Sequence, residues 1–191
     1  MDLLAILISS LLINNIVLMQ FLGLCSFFGV STKMKSVFGM SFAVIVVIFL
    51  SAAITWPIYH FVLDQFGITY INTIAFILII AALVQLTELV VKKVSKSLYK
   101  ALGVYLPLIA TNCAVLGVAL TNVSDASISY PEALVYALGS ALGYALVIIA
   151  FAGIRIKLNA ANTPKAIKGM PIALITASLM ALAFMGLAGI I

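Results

Sequence analysis

Of 191 residues, 65% are hydrophobic and 8% charged, and the mean hydropathy is +1.33. Soluble domains carry charge on about a quarter of their residues, so these figures exclude a water-soluble globule and require an integral membrane protein. The net charge of +5 is spread over three short basic connections without a recognition motif, which excludes nucleic-acid binding.

Six apolar stretches follow one another: Leu3–Val30, Val37–Val62, Thr69–Val91, Ala101–Asn122, Pro131–Gly153 and Met170–Ile190. Each reaches the ~20 residues that cross a ~30 Å hydrocarbon core as a helix. Barrel strands are excluded, because nothing alternates polar with apolar residues over such lengths. The first stretch follows Met1-Asp2 without a basic leader and is too long for the apolar part of a signal peptide, so it is expected to remain in the mature fold. Asn14-Asn15 and Gly23 lie within it, and near its end stands Cys25-Ser-Phe-Phe-Gly29-Val30, followed by Lys33 and Lys35. The second stretch carries Trp56, Tyr59 and His60 at its far end, ahead of Asp64; the one histidine of the chain thus has an interfacial place. The third, with Tyr70 at its start, ends in Gln85, Glu88 and Lys92. Glu88 reads either as half of an interfacial ion pair with Lys92, one turn on, or as a carboxylate lining an ion path. Lys92, Lys93, Lys96 and Lys100 lead to the fourth stretch, with Tyr99 and Tyr105 at its start, then Pro107, Thr111-Asn112 and Cys113-Ala-Val-Leu-Gly117-Val118. Asp125 and Glu132 flank the entry to the fifth, whose Gly139-x-x-x-Gly143 is a small-residue face suited to close helix packing. Arg155, Lys157, Lys165 and Lys168 precede the sixth. Gln20, Gln85, Thr111 and Asn112 would either polarise a pathway or serve interhelical hydrogen bonds.

All ten lysines and arginines therefore fall in alternate connections, whereas the other side holds Asp2, Asp64, Asp125 and Glu132 and no basic residue. By the positive-inside rule both termini are extracytoplasmic, which six spans satisfy. Trp56, Tyr59, Tyr70 and Tyr130 at the outer ends and Tyr99 and Tyr105 at an inner one agree with interfacial aromatic belts. No connection exceeds about twenty residues, which leaves no room for a soluble catalytic domain. With no G-x-G-x-x-G and no Walker A motif, nucleotide or flavin chemistry must come from partner subunits. Alone, the chain is not an enzyme.

Three spans precede the basic connection and three follow it, so the second half enters the membrane from the opposite side. Cys25 and Cys113 both open Cys-x-x-x-Gly-Val, 88 residues apart. The expected architecture is a single all-α membrane domain of two inverted three-helix repeats, about 1–92 and 99–191, related by a pseudo-twofold axis in the membrane plane. Depth raises a conflict. Cys113, 13 residues past Lys100, lies about 20 Å along a helix and near the midplane. Cys25, 22 residues past Leu3, would lie about 33 Å along a straight one, near the inner face. Symmetry survives only if the first span is not a straight rod, so both cysteine helices are expected to be interrupted, at Asn14-Asn15 and Gly23 and at Pro107 and Thr111-Asn112.

A cysteine in a membrane helix is ordinarily a small apolar filler, and a disulfide in hydrocarbon is an unusual alternative. As metal ligands the pair is incomplete: tetrathiolate zinc and [2Fe–2S] sites both take four cysteines. Two would come from another chain, a second copy or a relative with the same repeat. A redox centre has a purpose at that depth, since electrons need a stop midway across a ~30 Å insulating core.

The stretches Asn14-Asn15-Ile-Val-Leu-Met-Gln-Phe-Leu-Gly-Leu-Cys25, Leu106-Pro-Leu-Ile-Ala-Thr-Asn-Cys113-Ala-Val-Leu-Gly-Val-Ala and Ile172-Ala-Leu-Ile-Thr-Ala-Ser-Leu-Met-Ala-Leu-Ala-Phe-Met-Gly186 closely resemble the A-type membrane subunit of the Rnf complex. The likeness covers nearly the whole chain. The E-type subunit of the sodium-pumping NADH:quinone oxidoreductase is a sister family of the same architecture. One departure is Ile156, where the family usually has an acidic residue after Arg155, which removes a local cytoplasmic charge pair. The resemblance implies a multi-pass component of the bacterial cytoplasmic membrane, paired in opposite orientation with its paralogue, the Rnf E-type subunit, each giving two cysteines to a shared [2Fe–2S] cluster. Cys25 and Cys113 would be this chain's ligands. The complex, with its B, C, D and G components, resembles a ferredoxin:NAD⁺ oxidoreductase that translocates sodium ions or protons. Flavins and the other iron–sulfur centres belong to partner subunits, and ferredoxin and NAD are met only through them. A carboxylate matching Glu88 is implied, weakly, in ion movement. The competing class is a small inverted-repeat secondary transporter without a redox centre; a role in keeping a redox regulator reduced is an intermediate one.

Overall fold

A computed structural model describes residues 3–32, 34–63, 72–94, 112–124, 128–161, 164 and 167–188. Every regular element among them is helical. In chain order they are α1 (Leu3–Ile8), continued by a π-helical turn (Ser9–Ile13), α2 (Leu24–Val30), α3 (Met34–Ile58), continued by a second π turn (Tyr59–Leu63), α4 (Asn72–Val94), α5 (Cys113–Ser124), α6 (Tyr130–Ala160) and α7 (Met170–Ala188).

Of the six expected spans, two are continuous helices long and apolar enough to cross a membrane, 36–61 and 130–160. The others are represented among the described residues by shorter apolar stretches in α1 with its π turn, α4, α5 and α7. Apolar length without an internal breaker makes α6, of 31 residues, about 46 Å long. Its start is fixed chemically: Pro131 stands in the first turn, where a missing N–H costs nothing. The Glu132 carboxylate accepts from the Ser129 backbone N–H at 2.9 Å and from the Ser129 hydroxyl at 2.8 Å. In α3, Pro57 is the last residue but one, and the chain beyond it widens into the π turn.

Helices α3 and α6 form the central pair. They run antiparallel, because Trp56 near the end of α3 packs against Tyr130 at the start of α6 with ring centroids 5.2 Å apart. The Trp56 indole also donates to the Ile128 carbonyl at 3.3 Å. Around this pair, α1 and its π turn lie on α6, α5 lies on α3, α4 touches α3 and α5, and α7 touches α6 and the first π turn. Tyr144, Phe27, Phe151, Met40, Ile48 and Ile148 fill the shared core. The outward faces of α4 and α7 expose Ile74, Leu78, Leu86, Leu174, Leu179 and Leu182, a surface that only lipid or another apolar chain would cover.

The Gly139-x-x-x-Gly143 face is the contact between α6 and the first span. A methyl group on Gly143 would stand 2.8 Å from the Leu11 carbonyl oxygen, and one on Gly139 would stand 2.9 Å from the Leu7 carbonyl oxygen. Backbone approaches backbone here, as the small-residue spacing predicts.

Candidate metal centre

The first span is interrupted, as Asn14-Asn15 and Gly23 predict. Its helix widens at Ser9–Ile13 and ends at Asn14, whose N–H is donated to the Ser9 carbonyl at 2.7 Å. Asn15, fully buried, terminates the helix on both sides. Its Nδ2 donates to the Leu11 carbonyl at 3.2 Å, and its Oδ1 receives the Val17 N–H at 3.1 Å. One amide side chain thus replaces two of the backbone bonds that the break frees, which a low-dielectric interior demands. The segment then turns through Phe21 at φ 55° and Gly23 at φ 83° and starts α2, with Cys25 as its second residue.

The corresponding segment before Cys113 lies outside the described residues, including Pro107 and Thr111. Cys113 is the first residue of α5. Asn112, immediately before it, receives the Ala114 N–H on its Oδ1 at 3.1 Å, as a capping asparagine does. Each cysteine therefore sits in the first turn of its helix.

The break removes the depth conflict. Helical rise from Leu3 stops at Ile13, after about 16 Å, and the segment that follows brings Cys25 to Cys113. The two cysteine turns are in contact, Gly23 of the first lying against Cys113 of the second. Both are free, Cys25 exposed on the surface and Cys113 partly covered. The Gly23 N–H is donated to Cys113 Sγ at 2.9 Å, so each half of the chain reaches into the other's cysteine turn.

Helix α6 is the template for this arrangement. At successive turns of one side it meets α1 through Gly139 and Gly143 and Ser26 through the Tyr144 hydroxyl at 2.8 Å. Further along it meets Phe27 through the stacked ring of Phe151, with centroids 4.2 Å apart. Past these, Arg155 Nη1 donates to the Phe28 carbonyl at 2.8 Å and to Ser31 Oγ at 2.6 Å. A guanidinium on the last turn of α2 satisfies a free carbonyl and complements the helix dipole.

Among the described residues no three histidine, cysteine or acidic side chains gather. Among the described residues the donor set at this site is two thiols, which suits half of a tetrathiolate iron–sulfur centre and is too few for a closed site. The remaining candidates fall elsewhere. His60 packs against Trp56, with ring centroids 4.2 Å apart, in the aromatic group with Tyr59 and Tyr130; Tyr70, Tyr99 and Tyr105 lie outside the described residues. Gln20 and Gln85 are exposed. Glu88 is placed only as a residue of α4; its side chain lies outside the described residues. Tyr144, Ser26 and the capping role of Arg155 were not evident from spacing. The one local signal was a hydroxyl-bearing ring directly after Gly143, deep in an apolar span.

The chain matches the family model described as "Rnf-Nqr subunit, membrane protein" over residues 3–191. It is 53% identical over 189 residues, 99% of this chain and 98% of the relative, to the A-type subunit of the "Na(+)-translocating ferredoxin:NAD(+) oxidoreductase complex" of Acetobacterium woodii. It is 50% identical over 187 residues, 98% of this chain and 96% of the relative, to the A-type subunit of the "Ion-translocating oxidoreductase complex" of Azoarcus sp.. A relative of the same description from Syntrophotalea carbinolica is 49% identical over 190 residues, 100% of this chain and 98% of the relative.

Proposed function

Because the chain belongs to the Rnf-Nqr family of membrane subunits, we propose that it is the A-type component of an ion-translocating ferredoxin:NAD⁺ oxidoreductase, carrying electrons across the bacterial cytoplasmic membrane. The observation that carries this reading is the meeting of two cysteines 88 positions apart, each in the first turn of its helix, with one thiol open at the surface.

Cys25 and Cys113 would hold one half of a [2Fe–2S] cluster, and the paralogous E-type subunit would supply the other two thiolates. When bound, such a cluster supplies a one-electron store partway through an insulating core of ~30 Å. The chain's own residues do the preparatory work. Asn15 gives the interrupted first span partners for the Leu11 carbonyl and the Val17 N–H, and Cys113 Sγ one for the Gly23 N–H. Gly23 N–H stabilises negative charge on Cys113 Sγ, and Arg155 anchors the far end of the Cys25 helix. The aliphatic and aromatic residues behind the pair, Val115, Phe27 and Ile16 among them, exclude water from its inner side.

Six crossings in two inverted repeats, about 1–92 and 99–191, with extracytoplasmic termini, form the scaffold of this reading. The pattern of neighbours supports it. Under a pseudo-twofold axis the second and fifth spans face each other, the first meets the fifth as the fourth meets the second, and the third meets the fourth as the sixth meets the first. The contacts α3 with α6, α1 with α6, α5 with α3, α4 with α5 and α7 with the first π turn follow that rule. The B, C, D and G components would carry the flavins and remaining iron–sulfur centres and meet ferredoxin and NAD. Glu88 is assigned to the path of the translocated ion, Na⁺ or H⁺.

Iron quantitation and EPR of the purified complex test the proposal. Cys25→Ser and Cys113→Ser should each remove one [2Fe–2S] signal and stop turnover. Either variant retaining the full signal and normal turnover refutes it. Substrate uptake by the isolated protein in iron-free liposomes would instead establish a secondary transporter.

A further inference from the structure

Tyr144 is the largest fully buried side chain among the described residues. A ring that only filled space would serve as well without its hydroxyl, which must find a partner once buried. This hydroxyl lies where the two cysteine segments meet. Ser26, the residue after Cys25, gives its single hydroxyl proton to the Gly23 carbonyl at 2.9 Å. The 2.8 Å bond between Ser26 Oγ and Tyr144 Oη is therefore donated by Tyr144, since serine has no second proton. Asn112, the residue before Cys113, donates Nδ2 to the same Ser26 Oγ at 3.5 Å. The Tyr144 ring edge rests on Gly23, where a methyl group would stand 3.2 Å from Cε2. Gly23 in turn donates its N–H to Cys113 Sγ.

We propose that Tyr144 is a positioning residue for the thiolate pair: through Ser26, Asn112 and Gly23 it aims the Gly23 N–H at Cys113 Sγ and thereby sets the reduction potential of the metal centre held there. The inference rests on the reading of Cys25 and Cys113 as cluster ligands. An N–H donated to a ligand sulfur withdraws charge and favours the reduced, more negative state. Tyr144→Phe keeps the ring and its packing but removes the donor that holds Ser26, so the Gly23 turn loses alignment.

The test is a redox titration of the purified complex followed by EPR, on the signal that Cys25→Ser removes. Tyr144→Phe should leave the amount of this signal unchanged and lower its ratio of reduced to oxidised centre at a fixed poise by roughly two- to tenfold, the effect of one weakened hydrogen bond. Tenfold corresponds to about 59 mV for a one-electron couple. Ser26→Ala, which deletes the same link from its other end, should shift the potential in the same direction, and it decides the matter if Tyr144→Phe fails to assemble. An unchanged potential in the variants that assemble overturns the inference, and so does loss of the signal in both variants, which marks Tyr144 and Ser26 as structural packing only. If Cys25→Ser removes no signal, the ligand assignment itself fails, an outcome distinct from both.

Discussion

Gly143→Ala adds one methyl group at the closest approach between α6 and the first span. Built on the existing backbone, that carbon stands 2.8 Å from the Leu11 carbonyl oxygen, 2.8 Å from Asn15 Nδ2 and 3.3 Å from Leu11 Cα. Ordinary contact begins near 3.4 Å, so the deficit is roughly half an ångström, and two of the three atoms are backbone that cannot rotate away. Either the first helix is pushed off α6, or the Asn15 amide abandons the Leu11 carbonyl that it holds at 3.2 Å. Overpacking of this kind costs about 1–3 kcal/mol, and loss of the buried amide bond ~1–3 kcal/mol; since the two are alternatives, about 1–3 kcal/mol is expected. Gly153→Ala, in the same helix, meets nothing within 4 Å and should be neutral or up to about 1 kcal/mol stabilising. The assay is the temperature at which each purified complex loses this protein, followed by size-exclusion chromatography. Gly143→Ala should fall several degrees below wild type and Gly153→Ala should not. Equal midpoints for the two variants would refute the backbone-contact argument.

Three further outcomes follow from named bonds. Arg155→Met leaves Ser31 Oγ without its donor and the Phe28 carbonyl with only the long 3.4 Å bond from the Ser31 hydroxyl and should weaken the end of α2 by about 1–3 kcal/mol, read as faster loss of iron to a chelator from the complex; an unchanged rate counts against the cap. Asn15→Ala orphans the Leu11 carbonyl and the Val17 N–H together and should lower the yield of assembled complex more than Asn14→Ala, because Asn14 is exposed. Glu88→Gln should reduce ion transport in proteoliposomes while electron transfer between soluble partners continues; transport at the wild-type rate would remove Glu88 from the ion path.

The break in the first span was legible because its cause is local. Asn14-Asn15 and Gly23 are poor residues for a continuous membrane helix, and the depth of Cys25 forbade a straight one. The pairing of Cys25 with Cys113 was legible through repetition of a six-residue phrase. The brace behind them was not. Tyr144 reaches Ser26 across 118 positions, and nothing in the spacing of either segment encodes that meeting. Arg155 misled in a different way: as one of ten basic residues in alternate connections it read as an orientation charge, whereas its guanidinium reaches back to the Phe28 carbonyl. A long, flexible cation can mark the cytoplasmic side and still cap a helix, and sequence records only the first role.

The exposure of Cys25 has a physical consequence on the proposed reading. A thiolate surrounded by its own chain would have to be desolvated by that chain alone, at a large cost without a counter-charge. Here Cys113 is partly covered and receives an N–H, whereas Cys25 lies open on a short helix whose next turn carries Gly29. An outer surface without bulk at Gly29 lets a second backbone come close, so that desolvation and the missing thiolates would arrive together with the partner. The chain alone should then hold iron weakly. Co-expression with the paralogous protein should raise iron retention sharply, and Gly29→Leu, which blocks the approach without touching either sulfur, should abolish that gain. If the isolated chain binds iron as well as the pair does, the shared-cage reasoning is wrong.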